Sequence, residues 1–78
     1  MGKTTATLED VIRVRKALRN GGFARIRDRA GMSKAEVAHI LGVDPATYGR
    51  WENGRMRPGF ESSIRLAELL GVLERSTS

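Results

Sequence analysis

Three observations predict an all-α domain of five helices. No segment alternates polar and apolar residues as a half-buried strand does; apolar residues recur instead at spacings of three and four. Capping and breaking residues punctuate those runs at 20–22, 31–33, 42–45 and 53–54. With 78 residues and no cysteine, the chain has room for one core, which well-packed helices must hold without disulfides.

Residues 1–6 read as a frayed tail. Thr7 follows as an N-cap, with Asp10 at the capping-box position, for a helix over Leu8–Arg19. Its apolar set is Leu8, Val11, Ile12, Val14 and Leu18, and Arg13, Arg15, Lys16 and Arg19 take the other face. Asn20-Gly21-Gly22 breaks it. A second helix, Phe23–Ala30, turns Phe23, Ile26 and Ala30 inward; Gly31 ends it and Met32 plugs the core.

The stretch 33–54 carries the densest signals. Ser33 and Glu36 form a capping box, and Val37, Ile40 and Leu41 give the helix that follows an apolar face. Gly42 suits the left-handed residue that ends a helix. Asp44-Pro45 restarts at once, Asp as N-cap and Pro at the first helical position, where its missing N–H costs nothing. Val43 and Tyr48 stand at hydrophobic-staple spacing, Tyr48 and Trp51 form the apolar side, and Asn53-Gly54 stops the helix. Two helices joined by so tight a turn make a helix-turn-helix. A short basic loop, Arg55-Met56-Arg57-Pro58-Gly59, leads to a last helix over Phe60–Leu70. Its stripe is Phe60, Ile64, Ala67 and Leu70, with Gly71 as its stop and a polar tail from Leu73. Leu66, Leu69 and Leu73 are surplus to that stripe. The N-terminal helix is their expected partner within one chain, and a dimer interface is the other use for them.

The net charge is +5, and it is unevenly placed: +3 over residues 1–22, +2 over 23–41, +1 over 42–59 and −1 over 60–78. A basic body with a faintly acidic end suits one face presented to a polyanion. No apolar run approaches a membrane span, and the polar N-terminus is no signal peptide, so a cytoplasmic protein without a membrane partner is expected. Gly2-Lys3-Thr4 lacks the glycine-rich turn of a phosphate-binding loop, and Met1-Gly2 lacks the Ser or Thr at position 6 that myristoylation wants. With one histidine and no cysteine, a zinc site is not expected, and no motif implies a cofactor or small-molecule ligand. His39 falls on an outer helix face. No base is paired with a nucleophile, and Glu9-Asp10 suit the dipole at a helix start. An enzyme is not expected.

With these residues in place, the chain resembles the phage-repressor class of helix-turn-helix proteins, the Cro and lambda-repressor-like superfamily often named the Xre family. The resemblance covers about residues 23–72. It runs through Ile26-Arg27, Gly31-Met32-Ser33, Glu36-Val37-Ala38, Leu41-Gly42-Val43, Trp51-Glu52-Asn53-Gly54, Pro58 and Leu70-Gly71-Val72. It implies a lambda-repressor-like fold with an additional N-terminal helix. The division would be a tail and extra helix over 1–22, the DNA-binding domain over 23–73 and a polar tail over 74–78.

The resemblance also implies that helix 44–53 lies in the major groove of double-stranded DNA while helix 33–41 crosses above it. Arg50 then stands at a base-reading position, from which Arg can pair bidentately with guanine. Pro45, Ala46 and Gly49 fall at the other groove-facing positions. They depart from relatives that carry Gln, Arg or Ser there and leave the reading surface bare, although Ala46 can meet a thymine methyl. Thr47 can reach a phosphate or base, or support its own helix start. Lys34 resembles the position that reaches a phosphate or an outer base, and Ser33 offers a hydroxyl at a helix N-terminus. Asn53, Arg55 and Arg57 flank the recognition helix as phosphate anchors, with backbone N–H groups of Gly59 and Phe60 beyond them. Tyr48 belongs to the core, with a hydroxyl in position to extend to a phosphate. Arg27 and Glu52 match a structural salt bridge of the family.

The function expected is a sequence-selective transcriptional regulator, a repressor of phage or mobile-element type, working as a homodimer on paired half-sites. An antitoxin-type regulator with a protein partner and a protein–protein adaptor are the alternatives. The basic face of the N-terminal helix is a further candidate for extending along DNA.

Overall fold

The first helix is longer than its capping residue suggests. In the computed structural model, which describes the backbone of residues 2–77 and the side chains of 7–77, α1 spans Gly2–Arg19. It is followed by α2 (Gly22–Arg29), α3 (Lys34–Leu41), α4 (Pro45–Glu52) and α5 (Phe60–Thr77), with no strand among the described residues. Thr7 therefore lies inside α1 instead of capping it, and the tail expected over 1–6 is helical from Gly2; Met1 lies outside the described residues. The core face of α1 is also narrower than expected. Val11, Val14 and Leu18 are buried at helical spacing, whereas Leu8 and Ile12 are 54% and 59% exposed. Those two sit one position off the stripe and turn outward.

The last helix runs straight through its expected stop. Gly71 is an interior residue of α5, and Leu73 beyond it is buried. The helical cost of one glycine, about 1 kcal/mol, is smaller than the roughly 1.5–3 kcal/mol from burying a leucine. The stripe that faces the core is Ser63, Leu66, Ala67, Leu70 and Leu73; Phe60 is exposed and Ile64 only half-buried. Of the leucines that looked surplus, Leu66 and Leu73 are thus in the core of α5, and Leu69 packs partly buried against it. α1 packs along α5 and supplies Val14 and Leu18 to the same cluster. The N-terminal helix closes the core from within the chain.

Local chemistry sets the middle of the chain. Ser33 Oγ accepts from the Glu36 N–H at 3.0 Å while Glu36 Oε1 accepts from the Ser33 N–H at 2.8 Å, completing the capping box. Gly42 ends α3 in the left-handed region at φ 73°. Asp44 departs from expectation: its side chain makes no capping hydrogen bond, and Pro45 at the first turn starts α4 through its fixed φ. In α3 the buried residues are Val37, Ala38 and Leu41, with Ile40 turned to solvent. Phe23 and Tyr48 meet edge to face, with centroids 6.3 Å apart, and tie α2 to α4. No helix among the described residues is long and apolar enough to cross a membrane.

Candidate nucleic-acid interface

α4 is an eight-residue helix with two unlike sides. Tyr48 and Trp51 are buried in the core cluster. Pro45, Ala46, Arg50 and the C-capping Asn53 are exposed, with Gly49 and Thr47 half-exposed beside them. Nothing lies within 4 Å of where a Cβ on Gly49 would stand, so this side is open to solvent. It presents small, smooth surface with one long cation, Arg50, which no hydrogen bond or ion pair among the described residues holds back.

Cations border that surface on two sides. Lys34, at the start of α3, has a side chain 60% exposed and lies 3.9 Å from Glu52 Oε1, a distance that leaves its ammonium free to move outward. Ser33 is exposed beside it and caps α3. Beyond α4, Asn53, Arg55 and Arg57 are exposed on the loop to α5. That loop has a defined path. The N–H groups of Arg55 and Met56 both donate to the Arg50 carbonyl, at 2.9 and 3.1 Å, and Arg55 N–H also reaches Asn53 Oδ1 at 3.0 Å.

Behind the exposed face, α4 is held by charge. Arg27 Nε donates to Glu52 Oε2 at 2.8 Å and Nη2 to Oε1 at 3.1 Å, a bidentate pair whose side chains are only 8% and 5% exposed. Arg27 Nη1 donates to the Met32 carbonyl at 2.8 Å and to Asp28 Oδ1 at 3.1 Å. Burial works to raise the Glu52 carboxyl, but hydrogen bonds from Arg27 and then Tyr48 outweigh it and hold it below the ordinary carboxylate range. Burial, and then the bond to Glu52, push the Tyr48 phenol well up. The Tyr48 hydroxyl donates to Glu52 and the residue is fully buried, so it is no phosphate ligand. That corrects the expectation for Tyr48: its polar end points into the protein, toward the carboxylate one turn on.

This pair of helices, with its bare outer face and buried ion pair, coincides with a recognised sequence family: a helix-turn-helix family model matches residues 23–75. The chain belongs to the helix-turn-helix family of the Xre and Cro type. Searches of curated proteins and of solved structures found no match. Membership assigns this helix-turn-helix protein to the DNA-binding transcription regulators. The match takes in α3, α4 and the loop 53–59 and leaves α1 outside.

Half of the basic face expected on α1 is engaged within this helix-turn-helix protein. Arg13 Nη1 pairs with Glu74 Oε1 at 3.1 Å. Arg15 turns inward, where Nε donates to Ser63 Oγ at 3.1 Å and Nη2 to the Pro58 carbonyl at 3.0 Å. Lys16 and Arg19 stay exposed. Sequence reasoning missed Arg15 and Ser63 as a unit. The available signal was Ser63 itself, a hydroxyl in register with Leu66 and Leu70 on a buried stripe, where a polar group needs a partner. Among the described residues, no cluster of His, Asp and Glu is spaced to hold a metal ion.

Proposed function

We propose that this chain is a sequence-selective repressor of phage or mobile-element type that occupies a double-stranded DNA operator with α4 in the major groove. The observation that carries the reading is the composition of the exposed side of α4. Small residues at Pro45, Ala46 and Gly49 permit close approach of the helix backbone, and Arg50 is the one long donor among them. In this reading Arg50 reads a base, Ala46 meets a thymine methyl and Thr47 supports a contact at the edge. Ser33, Lys34, Asn53, Arg55 and Arg57 hold the phosphates on either side, with Lys34 able to reach an outer base. With so little direct readout, DNA shape and deformability supply the remaining selectivity.

Salt titration of duplex binding tests it. About five phosphate contacts give a log–log slope near −4 to −5. A flat response would remove DNA as the partner and leave a protein–protein adaptor.

A second observation supports a homodimer on paired half-sites. A groove between α3 and α5 is lined by Ile40, Leu69 and Val72, with Ile40 52% and Val72 47% exposed, and by Arg65 and Glu68. A two-fold axis through it would set Arg65 against the partner's Glu68, and the reverse, around apolar contacts. Val72→Glu is expected to abolish cooperative occupancy of two half-sites while single-site binding persists. Undiminished cooperativity would place the dimer contact elsewhere.

A further inference from the structure

The added helix reaches the loop that borders the bare face of α4, and it does so through one side chain. Arg15 lies between Val14 and Leu18 on α1, and its guanidinium is committed to two partners outside that helix. One is Ser63 Oγ, in the first turn of α5; the other is the carbonyl of Pro58, at the end of the loop. Ser63 hydroxyl donates to the same Pro58 carbonyl at 3.3 Å, and Ser63 is fully buried. Both lone pairs of that carbonyl are therefore used, by donors from two different helices. Ser63 N–H donating to the Gly59 carbonyl at 2.8 Å closes the next residue into α5.

The consequence for the loop is mechanical. At its near end the Arg50 carbonyl takes the N–H groups of Arg55 and Met56. At its far end Arg15 and Ser63 take Pro58. Arg57 lies immediately before that proline, which restricts its backbone to extended conformations. Fixing the Pro58 carbonyl fixes where Arg57 projects. A cleft of about 100 Å³ between α1 and the loop, lined by Leu18, Trp51, Met56 and Arg57 among others, leaves space for the loop to fall inward without the tether.

We propose that Arg15 is a positioning residue for the phosphate-anchoring loop, acting through Pro58 to hold Arg57 outward. This rests on the reading of that loop as a DNA anchor. It gives the helix outside the family match a task in DNA binding without requiring that helix to touch DNA.

Two readouts on Arg15→Ala, taken at a temperature where circular dichroism shows the variant folded, test the proposal. Amide exchange at Met56 and Ser63, whose N–H groups donate to the Arg50 and Gly59 carbonyls at the two ends of the loop, is expected to quicken about tenfold while the core amides of α4 hold their protection. In duplex binding the salt slope is expected to fall by about one contact. Losses from Arg15→Ala and Arg57→Ala are expected to be sub-additive in a double-mutant cycle. Arg15→Lys, which keeps one donor for Pro58 but loses the fork, should fall between. Unchanged exchange at Met56 and Ser63 would overturn the tether. Losses that simply add would overturn the action through Arg57 and make Arg15 an independent contributor. Wild-type protein that binds no duplex would overturn the DNA reading underneath, and the exchange result would still decide whether the loop is tethered. Should Arg15→Ala fail to fold, Arg15→Met, which keeps an aliphatic stem but removes both donors, takes its place in both measurements.

Discussion

Tyr48 and Glu52 stand one turn apart on α4, and the tyrosine hydroxyl donates to the carboxylate at 2.5 Å. The bond fills a position on Oε2 beside the Arg27 guanidinium, so α4 carries its own half of the clamp that docks it on α2. Because the pair is buried, its loss is asymmetric. Glu52→Ala leaves the Arg27 guanidinium without its main partner and is expected to cost about 3–5 kcal/mol. Against the roughly 5–15 kcal/mol that hold a domain together, the variant should unfold near physiological temperature. Replacing both residues by apolar ones of similar volume, Arg27→Met with Glu52→Leu, should cost less than Glu52→Ala alone. Urea denaturation of the three chains checks the order.

The same carboxylate sets an acid limit. Its folded pKa is depressed below the ordinary 4.5, so its contribution is complete above that value and drains as pH falls through the folded one. The stability gap between wild type and Glu52→Gln should be flat at neutral pH and narrow below about 4.5. A gap that instead widened in acid would assign the depression of the carboxyl to the wrong partners.

These expectations depend on contacts of very different legibility. The capping box of Ser33 and Glu36 and the left-handed Gly42 are local, decided by neighbours within three residues, and the sequence shows them directly. Arg27 and Glu52 are 25 residues apart and were legible only through a family pattern. Arg15 finds Ser63 and Pro58 across 48 and 43 residues, and nothing in the sequence near Arg15 announces either. The end of α5 shows the same limit from the other side. Gly71 is a valid local stop signal, and burial of Leu73 in the core overrides it. Faces of short helices were also hard to place: in α3, Ala38 and Ile40 compete for the inward position, and the smaller residue fits.

Arg50→Ala separates reading from holding. Loss of a bidentate base contact is expected to cost about 1–3 kcal/mol on the cognate site and to relax selection at that position. A phosphate contact would weaken cognate and random duplex alike and shorten the salt slope by about one. Sites selected from a random pool by wild type and by Arg50→Ala give the comparison, since a base reader changes the consensus at one position.

Glycine substitutions discriminate between backbone need and empty space. Gly42 has a positive φ of 73°, so Gly42→Ala is expected to destabilise by about 1 kcal/mol from strain alone. Gly71 lies within α5, where an added Cβ meets the movable end of Arg75 at 3.5 Å. Gly71→Ala is therefore expected to stabilise by about 0.5–1 kcal/mol, and a thermal melt reads the rise.

Gly49 is the most informative of them, because stability and binding should move in opposite directions. It lies within α4, with open space where a Cβ would stand, so Gly49→Ala is expected to raise stability by about 0.5–1 kcal/mol. If α4 uses that bare surface to approach base edges closely, the added methyl holds the helix back and duplex affinity falls while the melting temperature climbs. Affinity that is unchanged in the more stable variant would mean that the helix meets DNA along another side. The groove-facing assignments of Pro45 and Ala46 would then fail with that of Gly49.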